Sequence, residues 1–228
     1  MKTIGLVGGM SWESTAHYYR IINSEAKRLR GGLHSAPLLL HSVDFAPIAA
    51  LQAAGNWQEA GKILGSAAKG LERSGADLIG IATNTMHMVA PAIRDAISVP
   101  LLHIAGPTAE RLIEDGFKTV GLLGTQFTLE MDFYTVELEK VGLEPLVPQV
   151  GITDLNAIIY EELCRGIVRN TSRKTYIDAI RHLALRGAEA VILGCTEISM
   201  LIDDAVSPLP TYDTTELHAK ALVAAALE

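Results

Sequence analysis

The chain has only two cysteines, Cys164 and Cys195, with no CxxC pair, so neither a disulfide framework nor a cysteine metal site is expected and each is a free thiol. It has no basic run, and its formal net charge is −7, which removes the electrostatic footprint for nucleic acid or an anionic membrane. No apolar run reaches membrane-spanning length, and Met1-Lys2 leads into Thr3-Ile4-Gly5-Leu6-Val7 without the apolar stretch of a signal peptide. A cytoplasmic protein is therefore expected. The seven histidines show neither HxH nor HExxH spacing, so no metal site is expected. The Gly8-Gly9 turn is not a GxGxxG fingerprint, and Asp44 sits in a Phe-Ala-Pro context just past Val43 rather than ending a second strand. This argues against a dinucleotide site. Small molecules are the partners that remain.

What is present is a well-filled sequence of 228 residues, 49% hydrophobic and 20% charged, enough for one large or two small domains. Apolar runs alternate with helix-compatible spacing. The pattern predicts strands at 3–7, 37–43, 78–82, 99–104, 119–123, 190–193 and 209–212. It predicts helices over 11–30, 59–74, 86–97, 107–115, 128–141, 155–167 and 172–186, and a last one capped by Asp213-Thr214-Thr215. Alternation of this kind predicts parallel α/β layers with ligands beyond the carboxyl ends of the strands.

An internal repeat organises the whole. Thr119-Val120-Gly121-Leu122-Leu123-Gly124-Thr125 repeats Thr3-Ile4-Gly5-Leu6-Val7-Gly8-Gly9, and Leu71-Glu72-Arg73-Ser74-Gly75-Ala76-Asp77 matches Leu183-Ala184-Leu185-Arg186-Gly187-Ala188-Glu189. A repeat this long fits a duplicated domain rather than a solenoid unit. The reading is two pseudo-symmetric α/β domains, residues 1–97 plus 208–228 and residues 98–207, with the active site in the cleft between them and the last helix returning to the first domain.

The same offset aligns Thr83 with Cys195, each at the end of an apolar strand and the start of a helix-like run. Such a turn carries free backbone N–H groups, and a helix start is expected to lower a thiol pKa and expose the sulfur. Thr196 is a capping residue in this reading, and Glu197 stabilises the helix start. Thr83 lacks a partner to move its proton, and by itself is a hydrogen-bonding or capping residue. Asn84 and Thr85 are ligand or cap donors. Cys164, in Glu161-Glu162-Leu163-Cys164-Arg165, sits mid-helix and is structural. His87 and His103 lie near strand ends without a spacing that assigns them to the reaction.

With Gly8-Gly9-Met10, Thr83-Asn84-Thr85, Leu123-Gly124-Thr125 and Gly194-Cys195-Thr196-Glu197 in place, the chain resembles the aspartate/glutamate racemase superfamily, specifically its aspartate racemase branch. The resemblance covers essentially the whole length, and Asp213-Thr214-Thr215 with His218 resembles the family's closing motif. It implies a cofactor-independent, PLP-independent amino-acid racemase with two cysteines, one on each face of the substrate Cα. Carried over, the second cysteine is Cys195 and the first position is Thr83, where this chain departs from the pattern. Three outcomes follow: Thr83 relays a proton from water or a neighbour, which we favour; exchange occurs on one face only; or binding survives without catalysis. The last would make the chain a non-catalytic acidic amino-acid-binding protein derived from a racemase.

The resemblance further implies that Met10, Asn84, Thr85, Thr125 and Thr196 supply donors around the α-carboxylate and amine of aspartate or glutamate. Arg165 or Gln52 would face the distal carboxylate, which needs a cation or several donors. Small enzymes of this type are often homodimers. A hydantoin racemase or maleate isomerase would use a similar cleft but looks less similar around Thr83 and Gly194.

Overall fold

The computed structural model describes residues 1–228, and the chain divides into two compact units, Met1–Ile104 with Thr215–Glu228, and Ala105–Thr214. No helix is long and apolar enough to cross a membrane.

In the first unit, strands β1 (Ile4–Gly8), β2 (Leu38–Ser42) and β3 (Leu78–Ile81) form a parallel sheet in the order β2-β1-β3. The helices are α1 (Trp12–Arg30), α2 (Phe45–Ala53), α3 (Trp57–Arg73) and α4 (Ala90–Ala96). Successive side chains of a strand point to opposite faces, so the continuous apolar runs serve two layers. Val7, Ile79 and Ile81 join a cluster with Ala60, Leu64, Ala67 and Ala68 of α3 and Ile93 of α4. Ile4, Leu6, Leu78 and Ala82 join another with Tyr18, Ile22 and Ala26 of α1 and with Leu222 and Val223 of the C-terminal helix. Ser11 caps α1, its side chain accepting from the Ser14 N–H. At Gly9 φ is +95°, and a Cβ there would lie 2.2 Å from the Val43 carbonyl oxygen. Only glycine lets the turn after β1 pass so close to the chain after β2.

The second unit holds α5 (Ala105–Glu114), β4 (Thr119–Gly124), α6 (Gln126–Glu130), α7 (Thr135–Glu139), β5 (Glu144–Leu146), α8 (Ile152–Ala157), α9 (Asn170–Leu185), β6 (Ala190–Gly194) and β7 (Thr211–Asp213). Its parallel sheet runs β5-β4-β6-β7. Leu123, Val191 and Leu193 pack with Leu155 of α8 and Tyr176, Ile180 and Leu183 of α9. Helix α10 (Thr214–Leu227) ends the chain and packs in the first unit.

The repeat is visible as two central strands, β1 and β4, each paired in parallel with the strand that ends at the matched turn: β1 with β3, β4 with β6.

Several elements differ from the sequence expectation. The last strand, assigned to the first domain at 208–228, belongs to the second unit, because Val191, Ile192 and Leu193 of β6 pair with Thr211, Tyr212 and Asp213. The first boundary lies after Ile104 rather than 97, since Leu101 bridges Ile79 and the Leu102 N–H donates to the Ile79 carbonyl. That single bridge is all that exists of the strand expected at 99–104. The helix expected at 155–167 is interrupted by a π-turn at Ile158–Glu162 and a 3-10 turn at Leu163–Arg165, so Cys164 is not mid-helix. The helix expected at 128–141 is two short ones. Strand β2, read as largely buried, is an edge strand with Leu40, His41 and Ser42 exposed.

Candidate active site

The Thr83 turn is built from three elements of the first unit. Strand β3 delivers Ala82 in parallel register beside β1, the Ala82 N–H donating to the Val7 carbonyl at 2.8 Å. Ser14, in the first turn of α1, donates its hydroxyl to the Ala82 carbonyl at 3.0 Å. After Thr83 the chain enters a 3-10 turn, Thr85–Val89, before α4. His87 in that turn hydrogen-bonds the Thr83 carbonyl through Nδ1 at 2.9 Å, and its Nε2 accepts from the Ile104 N–H at 3.2 Å. Asn84, Thr85 and His87 are buried, whereas Thr83 is half-buried. A second imidazole, His218 of α10, donates through Nε2 to the Leu102 carbonyl at 3.0 Å and accepts from Tyr18 Oη at Nδ1, 2.8 Å away. Burial, first of all, holds His218 down to about 3 and His87 well below the usual histidine range.

The Cys195 turn lies at the end of β6, next to the end of β4 through the pairing of Gly124 with Gly194. The Cys195 thiol donates to Glu197 Oε2 at 2.9 Å, and the Thr196 hydroxyl donates to the same oxygen at 2.5 Å. Thr125 follows β4 and caps α6, its side chain accepting from the Thr128 N–H. The structure corrects the sequence reading of this turn. The helix expected after Cys195 is a three-residue 3-10 turn, Ile198–Met200, and Glu197 makes no capping bond to it. There is no helix start to lower the thiol pKa. Burial instead raises it well above the ordinary range, and the Glu197 carboxylate raises it further. The sulfur is buried too, the residue being 9% exposed.

The sequence profile described as Asp/Glu/Hydantoin racemase matches residues 7–222. The chain belongs to this family. A relative of this racemase-family chain is the broad specificity amino-acid racemase RacX of Bacillus subtilis (strain 168), 26% identical over 226 residues and covering 96% of each chain. Among solved structures, a candidate Asp/Glu racemase from Yersinia pestis is 48% identical with a TM-score of 0.94, and an aspartate racemase homologue from Pyrococcus horikoshii OT3 is 36% identical with a TM-score of 0.86. Each comparison covers 100% of both chains. The glutamate racemase of Actinobacillus pleuropneumoniae serotype 5b matches at 27% over 136 residues, where the match spans about half of that longer protein (50%) and 59% of this chain.

The other expected site residues of this racemase-family chain fall in distinct settings. Met10 follows β1 and is buried. Gln52, in α2, is buried with its amide donating to the Met86 sulfur at 2.8 Å. Arg165, in the 3-10 turn after the π-turn, is exposed. In the second unit the structure brings Thr196 and Cys195 together on one carboxylate. Two contacts escaped the sequence reading: Glu197 as hydrogen-bond partner of the thiol, and His87 as donor to the Thr83 carbonyl. No group of three or more His, Cys, Asp or Glu side chains is arranged to hold a metal ion.

Proposed function

We propose that this protein is a PLP-independent amino-acid racemase acting on aspartate, glutamate or both, with Cys195 and Thr83 serving opposite faces of the substrate Cα. The observation that carries the reading is the Cys195 thiol donating to a buried carboxylate at a strand end, in a chain of the racemase family. Glu197 takes the thiol proton, and the thiolate takes the α-proton and leaves a carbanion at Cα. A proton is then delivered to the other face through the Thr83 hydroxyl, which water or a neighbouring group reprotonates. A threonine holds no useful fraction of alkoxide near neutral pH, so Thr83 relays a proton rather than acting as a resident base. Met10, Asn84, Thr85, Thr125 and Thr196 hydrogen-bond the α-carboxylate and amine, and Arg165 or Gln52 serves the distal carboxylate.

The two enantiomers have equal energy in water, so kcat/KM is equal in both directions and any directional preference is confined to kcat and KM separately. Incubation of each enantiomer of aspartate and glutamate in D2O, followed by NMR of the Cα proton, tests the reading. Exchange and inversion are expected from at least one pair, and Cys195→Ala is expected to abolish both. Thr83→Cys, which supplies a thiol on the second face, is expected to speed inversion. No exchange from any of the four would sink the racemase reading and leave acidic amino-acid binding without catalysis.

A further inference from the structure

We propose that His87 is a positioning residue that holds the Thr83 backbone as a neutral Nδ1–H imidazole, so that the Thr83 hydroxyl meets the substrate. This rests on the racemase reading above, and goes beyond it by naming what holds the weaker of the two proton carriers.

The tautomer follows from the geometry. A backbone N–H can only donate, so the 3.2 Å contact from Ile104 makes Nε2 of His87 the lone-pair nitrogen. Nδ1 therefore carries the hydrogen, and it donates to the Thr83 carbonyl at 2.9 Å. Both nitrogens are committed, and the ring is 1% exposed. His103 makes a T-shaped contact with it, at 4.5 Å between ring centroids and 71° between planes, and His218 lies at 5.7 Å. A proton on Nε2 would point at the Ile104 N–H, so the tether works only while the ring is neutral.

What the tether fixes is a peptide link on the side of Thr83 that leads away from β3. The link before it is held by Ser14, which donates to the Ala82 carbonyl. The carbonyls on both sides of the Thr83 Cα are thus gripped by buried side chains from α1 and from the 3-10 turn. Thr83 is held as an arm clamped at both ends, which suits a hydroxyl that lacks a base of its own. Catalysis through a poorly acidic group depends on its position, because a displacement of about 1 Å is enough to cost about a hundredfold in rate.

The experiment separates the two faces. In D2O, the enantiomer deprotonated by Cys195 exchanges its α-proton on the Cys195 side, and inverts only when the Thr83 side delivers a proton. His87→Phe keeps a ring between His103 and His218 but removes both hydrogen bonds. His87→Asn places an amide N–H where Nδ1 stood. Expected for His87→Phe is a fall in inversion of about a hundredfold, with exchange and KM changing little, and for His87→Asn a recovery of most of that loss. Thermal melts show whether each variant is folded. Nitrogen-15 NMR of the wild-type imidazole is expected to report protonated Nδ1 and bare Nε2.

Exchange and inversion falling together in a folded His87→Phe protein, no change in either, or a wild-type signal from protonated Nε2 would overturn the proposal while leaving the racemase reading standing. Absence of exchange in the wild type would remove the racemase reading, and the positioning role with it.

Discussion

Cys195 is a poor base at rest, because its surroundings favour the protonated thiol. Burial comes first and the neighbouring Glu197 charge second, both favouring the neutral thiol. The working thiolate population therefore rises with pH, and kcat/KM is expected to climb through the alkaline range instead of reaching a plateau at neutrality. Glu197→Gln removes the charge and the proton acceptor together. Its thiol is expected to titrate at lower pH, as read by ultraviolet thiolate absorbance, while its maximal rate falls by at least about tenfold. A thiol that titrates at the same pH in both proteins would show that Glu197 does not set it. At this scale the repeat singled out Thr83 and Cys195, because the two follow equivalent strands, β3 and β6, each paired with the central strand of its sheet. The sequence reading misjudged the thiol pKa because a three-residue 3-10 turn and a long helix begin with the same letters. His87 stayed hidden because its partner is a backbone carbonyl, which leaves no trace in side-chain type.

The elements that were legible are those with long apolar runs or long amphipathic spacing: β1, β3, β4, β6, α1, α3 and α9. Those that were not are short or lack a period. Strand β5 is three residues containing Pro145, paired only with β4 at the sheet edge. Helix α2 begins with Phe-Ala-Pro and shows no apolar stripe, so the spacing predicts no helix there and gives no sign that Asp44 caps one. The glycine that ends β6 has an element-scale consequence. A Cβ on Gly194 would stand 2.6 Å from the Leu123 carbonyl oxygen, which is backbone of β4 and cannot turn aside. Gly194→Ala is expected to push the two strands apart beside Cys195, lowering stability by about 1–3 kcal/mol, checked by the denaturation midpoint, and to reduce exchange at Cα. Unchanged stability would mean that the ends of β4 and β6 are less tightly apposed than the structure shows.

For the whole molecule the buried imidazoles decide the response to acid. His218 is neutral in the folded chain down to about 3, whereas the unfolded chain takes a proton near 6.5, so stability present above 6.5 drains away as pH falls towards 3. His87 is shifted the same way. Glu72, hydrogen-bonded by Lys69 and by the Ser98 and Val99 N–H groups, falls from 4.5 to about 2 and loses its share of stability below 4.5. These effects add. The thermal midpoint is expected to fall steadily from neutrality to pH 4, with the histidines alone costing on the order of a few kcal/mol. His218→Gln is expected to flatten that slope, and an unaltered slope would exclude His218 as its source.

The division of the chain also fixes an order of assembly. The second unit is one uninterrupted stretch, Ala105–Thr214, while the first waits for Thr215–Glu228 to supply the apolar partners of Ile4, Leu6 and Tyr18. On a ribosome the first unit is therefore completed after the second: until Thr215–Glu228 emerge, the sheet face of Ile4 and Leu6 has the cover of α1 but not that of α10. A chain stopped at Thr214 is expected to keep a protease-resistant second unit beside a first unit that binds hydrophobic dye, so the last fourteen residues act as the closing clasp of a domain begun two hundred residues earlier.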